Sequence, residues 1–142
     1  MLQSDCPKGN LIETGGNLVD LSMCDQMGHM TVREYATVFD EASYELVKAC
    51  GLELDGETGF VDLEMNMKFI NEIREGGVFY VKSGFVKLGT SSFTAMHYMF
   101  SSLDDSLIAS CEEKAVIFDL NKRKSEPMSD EFKKLASGFL VD

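Results

Sequence analysis

One apolar stripe constrains this chain more than any other feature. Val32, Tyr35, Ala36, Phe39, Ser43, Leu46, Val47 and Cys50 recur at i, i+3, i+4 and i+7 spacing, while Arg33, Glu34, Thr37, Glu41, Glu45 and Lys48 mostly fill the other side. Gly51 supplies a C-terminal stop. The spacing predicts a helix of roughly 18–20 residues starting near Thr31, longer than the globular average. So long a helix with so broad an apolar face needs a large sheet to cover it.

The sheet is readable downstream. Val61, Leu63, Met65, Met67 and Phe69 alternate with Asp62, Glu64, Asn66 and Lys68, the period of a strand. Glu75-Gly76-Gly77 predicts a turn into a strand from Val78 to Leu88. Gly89-Thr90-Ser91 leads into Ser92 to Leu103, and Asp104-Asp105-Ser106 into Leu107 to Leu120. Four long strands joined by short turns predict an antiparallel meander. Upstream, Asn17 to Cys24 alternates as a further strand. Ser129 can cap a short final helix, Asp130 to Ser137, ahead of a mobile tail. The expectation is an α+β fold: a single domain over residues 1–142, with one long helix against an antiparallel sheet of about five strands. One helix cannot cover both faces of that sheet, and its outer strands need partners, so a homo-oligomer is expected.

Composition narrows the partners. Of 142 residues, 44% are hydrophobic, enough for a single core, yet no run approaches the ~20 apolar residues of a membrane span. The stretch from Met1 to Gly16 lacks the hydrophobic segment of a secretory signal, so a cytoplasmic location is expected. A net charge of −11 argues against nucleic-acid binding, although Lys122-Arg123-Lys124 is a local basic cluster. Cys6, Cys24, Cys50 and Cys111 form no Cys-x-x-Cys pair and the two histidines, His29 and His97, are far apart, so no metal site is expected. Buried reduced thiols are the expectation for Cys50 and Cys111.

Chemistry concentrates in Asp25-Gln26-Met27-Gly28-His29-Met30, immediately before the long helix. The segment joins a carboxylate, a glycine, an imidazole and the unpaired N–H groups of a helix start. Asp25 is either a base or nucleophile or simply the cap of the following turn. By alternation with Val19, Leu21 and Met23 it is expected to sit in apolar surroundings. His29 can orient Asp25, position water or fix the loop. His97 has no companion motif and reads as a hydrogen-bonded structural residue. Met65, Met67, Met96 and Met99 read as core filler.

Asp25-Gln26-Met27-Gly28-His29-Met30, with Tyr35, Phe39-Asp40-Glu41-Ala42, the run Phe60 to Glu72, Gly76-Gly77, Arg123 and Pro127, resembles the hotdog-fold acyl-CoA thioesterases of the 4-hydroxybenzoyl-CoA thioesterase-like group. It is also similar to the betainyl- and carnitinyl-CoA thioesterases. The resemblance covers about Asn17 to Leu135. It implies an acyl-CoA hydrolase in which Asp25 is base or nucleophile and a backbone N–H of Thr31 or Val32 holds the thioester oxygen. Orphan amides and the helix dipole suit that role. The resemblance also implies an active site at a subunit interface of a homodimer or dimer of dimers, where Glu64 and Asn66 can contribute. Met27, Gly28, Met30, Tyr35 and Phe69 are expected to meet the substrate, and Lys122, Arg123 and Lys124 the CoA phosphates. No cofactor is implied beyond the CoA of the substrate. Two departures stand out: Thr31 where relatives carry Asn, and Glu64-x-Asn66 where betainyl-type relatives carry Glu-x-His. Glu41 is a further carboxylate, since some branches of the superfamily use one on the helix. The alternative function is a non-catalytic acyl-CoA or small-molecule sensor; a hydratase fits His29 and Glu41 less well.

Overall fold

A computed structural model describes residues 9–141; Cys6 lies outside them. The apolar stripe forms α1 (Val32–Ala49), with Tyr35, Phe39, Ala42, Ser43, Leu46 and Val47 buried. Glu34 in its first turn and Lys48 in its last complement the helix dipole. Around it lie β1 (Ile12–Leu18), β2 (Thr58–Phe69), β3 (Val78–Leu88), β4 (Ser92–Ser101), β5 (Leu107–Asp119), the short β6 (Lys124–Ser125) and α2 (Asp130–Ala136). The sheet is antiparallel in the order β1-β3-β4-β5-β2, with β6 on β5.

Three expectations are corrected here. First, only β3, β4 and β5 form a meander; β2 crosses over to pair with β5 from Thr58↔Asp119 to Phe69↔Ala109. The Glu75-Gly76-Gly77 segment is the end of a longer connection, pinned by Ile70 and Asn71 N–H groups donating to the Ile108 carbonyl. Second, the first strand runs over Ile12–Leu18 rather than from Asn17 to Cys24. Asp20 caps a short 3₁₀ turn, Leu21–Met23, its carboxylate accepting from Ser22 N–H, so Asp25 does not share a strand face with Leu21 and Met23. Third, the tail is docked: Val141 N–H donates to the Phe85 carbonyl at 2.8 Å, and Gly9 pairs with Val141.

The core divides into two clusters. Val19, Met30, Tyr35, Phe39, Phe79, Val81 and Met99 belong to one. Leu46, Val47, Cys50, Phe85, Phe93, Ile117 and Phe132 belong to the other. Replacing one fully buried phenylalanine by alanine in such a core costs about 3–5 kcal/mol. The two edges differ. β2 pairs on one side only, with β5, and is exposed along most of its length, including Val61, Leu63, Met65 and Phe69. No helix among the described residues is long and apolar enough to cross a membrane.

Candidate active site

The connection between β1 and α1 folds back on itself. Cys24 bridges Met30, Asp25 N–H donates to the His29 carbonyl at 2.8 Å, and Gly28 turns the chain at φ +83°, a conformation that favours glycine. Asp25 Oδ1 accepts from Met27 N–H at 2.9 Å and His29 N–H at 3.2 Å. One oxygen of the half-buried carboxylate thus holds the loop, and Oδ2 is left for other work.

The loop delivers the chain to α1 with Thr31 extended, at φ −73° and ψ 154°. Thr31 N–H donates to the Met23 carbonyl at 2.9 Å, so it is not available to a substrate oxygen. That corrects one of the two expected donors. The first amides of α1 without a partner among the described residues are those of Val32 and Arg33, since Glu34 and Tyr35 N–H reach back to the Thr31 carbonyl. Thr31 Oγ1 is buried and also unpartnered.

Asp25, His29, Met30, Val32, Tyr35 and Phe69 line a cleft of about 310 Å³, together with Ile70, Asn71 and Glu72. Tyr35 and Phe69 meet edge to face, ring centroids 5.0 Å apart. His29 Nε2 approaches Glu72 Oε2 to 2.5 Å without hydrogen-bond alignment, and Glu72 Oε1 lies 3.2 Å from Arg74 Nε. The imidazole is therefore steered toward Glu72, which sequence reading missed because an isolated loop carboxylate follows no period. A larger cavity, about 660 Å³, shares Asn71 and Glu72 and continues between Gly76-Gly77 and the Ser101–Ser106 turn. It lacks a helix start, so the smaller cleft is the one lined by both Asp25 and Val32.

Other expected site residues lie elsewhere. Met27 is 73% exposed and, like Gly28, does not line the cleft. Glu64 and Asn66 are exposed on β2, Glu64 paired with Lys114 at 3.2 Å. Strand alternation puts both on the side opposite Met67 and Phe69, away from the cleft. Lys122 and Arg123 lie in the turn at the far end of β5 and Lys124 opens β6, roughly 33 Å along the strand from its pairing with Phe69. Arg123 stands 5.5 Å over the Phe118 ring. Cys50 and Cys111 are buried, and burial raises their thiols to about 11 and about 12, so neither is a nucleophile near neutral pH. No group of His, Cys, Asp and Glu among the described residues is arranged to hold a metal.

A family model described as the thioesterase-like superfamily matches residues 19–135. The chain belongs to that superfamily. Solved structures share its fold at low identity. A Staphylococcus aureus protein in complex with CoA is 17% identical, with a TM-score of 0.82 over 91% of this chain and 83% of that one. A 1,4-dihydroxy-2-naphthoyl-CoA thioesterase from Synechocystis is 16% identical, with a TM-score of 0.74 over 87% and 93%. A gentisyl-coenzyme A thioesterase is 19% identical, with a TM-score of 0.75 over 85% and 97%. No curated protein sequence matches the chain. Membership of the superfamily gives the hotdog fold, with α1 as the central helix and the sheet wrapped against it.

Proposed function

We propose that this superfamily member hydrolyses acyl-CoA thioesters in the cleft between Asp25 and the start of α1. The carrying observation is that free Val32 N–H and the Asp25 carboxylate share one cleft. Thioester hydrolysis needs a donor aimed at the developing oxyanion and a group that attacks or activates water. Val32 N–H, with the positive end of α1 behind it, meets the first need. Asp25 meets the second, as nucleophile or as base toward water. His29, steered toward Glu72, fixes the loop and positions rather than transfers a proton. Tyr35 and Phe69 supply an apolar wall for the acyl group, and Met30 backs it from the core.

Release of free thiol from a panel of acyl-CoAs tests this. Asp25→Asn is expected to lower kcat/KM by roughly 10²–10⁴, the range for a positioned acid–base group. Unchanged turnover in that variant would remove Asp25 from the mechanism and turn attention to Glu41. A non-catalytic acyl-CoA sensor is the second reading, favoured by the two N–H groups already held by Asp25 Oδ1. Tight binding without turnover on every substrate is its signature.

The long β2 edge, with Leu63 62% exposed, fits pairing with a second copy into a homodimer, alone or stacked as a dimer of dimers. Within one chain the basic turn at Lys122, Arg123 and Lys124 is too far from the cleft to reach the same CoA. A second copy is the route by which those charges meet its phosphates. Free Cys24, Cys50 and Cys111 fit a reducing, cytoplasmic setting.

A further inference from the structure

Five strands each turn one polar side chain toward α1, and together they make a row across the sheet. Thr14 of β1 and Ser83 of β3 lie with hydroxyl oxygens 2.7 Å apart. Ser83 Oγ is 2.6 Å from His97 Nδ1 on β4, and His97 Nε2 is 2.8 Å from Glu113 Oε1 on β5. Ser83, His97 and Glu113 are 0% exposed and Thr14 is 6%. Asp62 on β2 ends the row: it pairs with Ala115, two residues from Glu113 on the same face of β5, and its carboxyl lies beside that of Glu113. The two hydrophobic clusters fall on either side: Val81 and Met99 flank Ser83 and His97 on one side, Phe85 and Ala95 on the other.

The decisive atom is Glu113 Oε2, fully buried and without a donor among the described residues. The nearby Ser43 hydroxyl donates instead to the Asp40 carbonyl at 2.9 Å. The neighbouring Asp62 carboxyl can supply a donor, because two carboxylates cannot hydrogen-bond to each other whereas a carboxylic acid and a carboxylate can. Asp40 adds a further negative charge from α1. No lysine or arginine among the described residues forms an ion pair with Asp40, Asp62 or Glu113.

We propose that Asp62 and Glu113 share one proton, and that this proton latches the edge strand β2 onto the buried row until alkaline solution removes it. The electrostatics run the same way. Burial on the α1 side, then the hydrogen bond and charge of Glu113, raise the Asp62 carboxyl to about 7, with His97 opposing. Burial raises Glu113 as well. Burial lowers His97 to about 4, so it is neutral: Nε2–H donates to Glu113, and Nδ1 accepts from Ser83. The groups facing the pair are thus His97 from β4, Asp40 and the Ser43 hydroxyl from α1, and Cys111 from β5.

A carboxyl raised from 3.8 to about 7 contributes stability that is complete below 3.8 and lost as pH rises through about 7. His97, lowered from 6.5 to about 4, contributes stability that is complete above 6.5 and lost as pH falls through about 4. The two slopes oppose one another between those limits. The latch is therefore seen alone on the alkaline side. It lies within one chain and holds whether or not copies pair through β2.

Amide hydrogen exchange on the full chain, corrected for intrinsic rates, tests it at about pH 6 and about pH 8.5. Protection of the β2 amides bonded to β5 is expected to fall by about tenfold relative to β3 and β4 at the higher pH. Asp62→Asn keeps a donor for Glu113 without a titrating proton, so its β2 protection is expected to match the parent's at about pH 6 under both conditions. Asp62→Ala lacks the donor and is expected to be low at both. An unchanged β2 ratio in the parent, or an equal fall in Asp62→Asn, overturns the latch.

Discussion

The molecule contains two histidine–glutamate contacts that differ in burial and in hydrogen-bond alignment. His29 meets Glu72 at the cleft mouth with side chains 32% and 55% exposed, whereas His97 meets Glu113 where both are 0% exposed. At the mouth, water screens the pair and the contact directs a side chain without holding the fold. In the core, each polar group removed from water must find a partner. His97 therefore sits in a chain of hydrogen bonds running from Thr14 to Glu113. Chemical identity is shared; solvent decides whether the pair serves the site or the scaffold.

Three substitutions press on that contrast. His97→Ala leaves Glu113 buried without its donor and is expected to cost about 3–5 kcal/mol of unfolding free energy in urea denaturation. A loss below 1 kcal/mol would mean that solvent reaches the row. Val32→Pro is more selective. Proline suits the first helical position, and Thr31 is already extended as a residue before proline must be, so the N–H is removed without disturbing the backbone and only an exposed side chain changes with it. Turnover is expected to fall by roughly 10²–10³ with the melting temperature nearly unchanged, the cost of one oxyanion donor. Equal activity in Val32→Pro would transfer the oxyanion role to Arg33 N–H. The smallest effect belongs to Glu72→Gln, which should change stability by about 0–1 kcal/mol. Because it releases His29, kcat is expected to move more than stability does; a large drop in melting temperature would place Glu72 in the scaffold instead.

Legibility followed the range of the interactions. α1 was readable to within a residue or two because its stripe is a local property of consecutive side chains. The pairing of β2 with β5 was not, since alternation says that a strand exists and nothing about its neighbour. The first strand lies upstream of its expected place, at Ile12–Leu18, because the alternation beyond Leu18 is broken by the Asp20 cap. In the site, Asp25, His29, Val32, Tyr35 and Phe69 converge because four of them flank one helix start. Asn71 and Glu72 come from a connection whose path is set by the Ile108 carbonyl, a contact across the sheet. The polar row did leave a trace. Glu113 stands in step with Ala109, Cys111, Ala115 and Ile117, and His97 with Ala95 and Met99, so each breaks an apolar parity with a polar residue. A parity break on one strand reads as noise. Only the register turns five of them into a line.

The docked tail has a consequence for how freely this chain can be rewritten. With Gly9 bridged to Val141 and Leu140 beside Phe85, the two ends of the described polypeptide lie side by side. A short linker could close them into a ring without disturbing a single strand pair. New ends could then be opened at the 93%-exposed Leu103, which would make the backbone's starting point a matter of history and not of architecture.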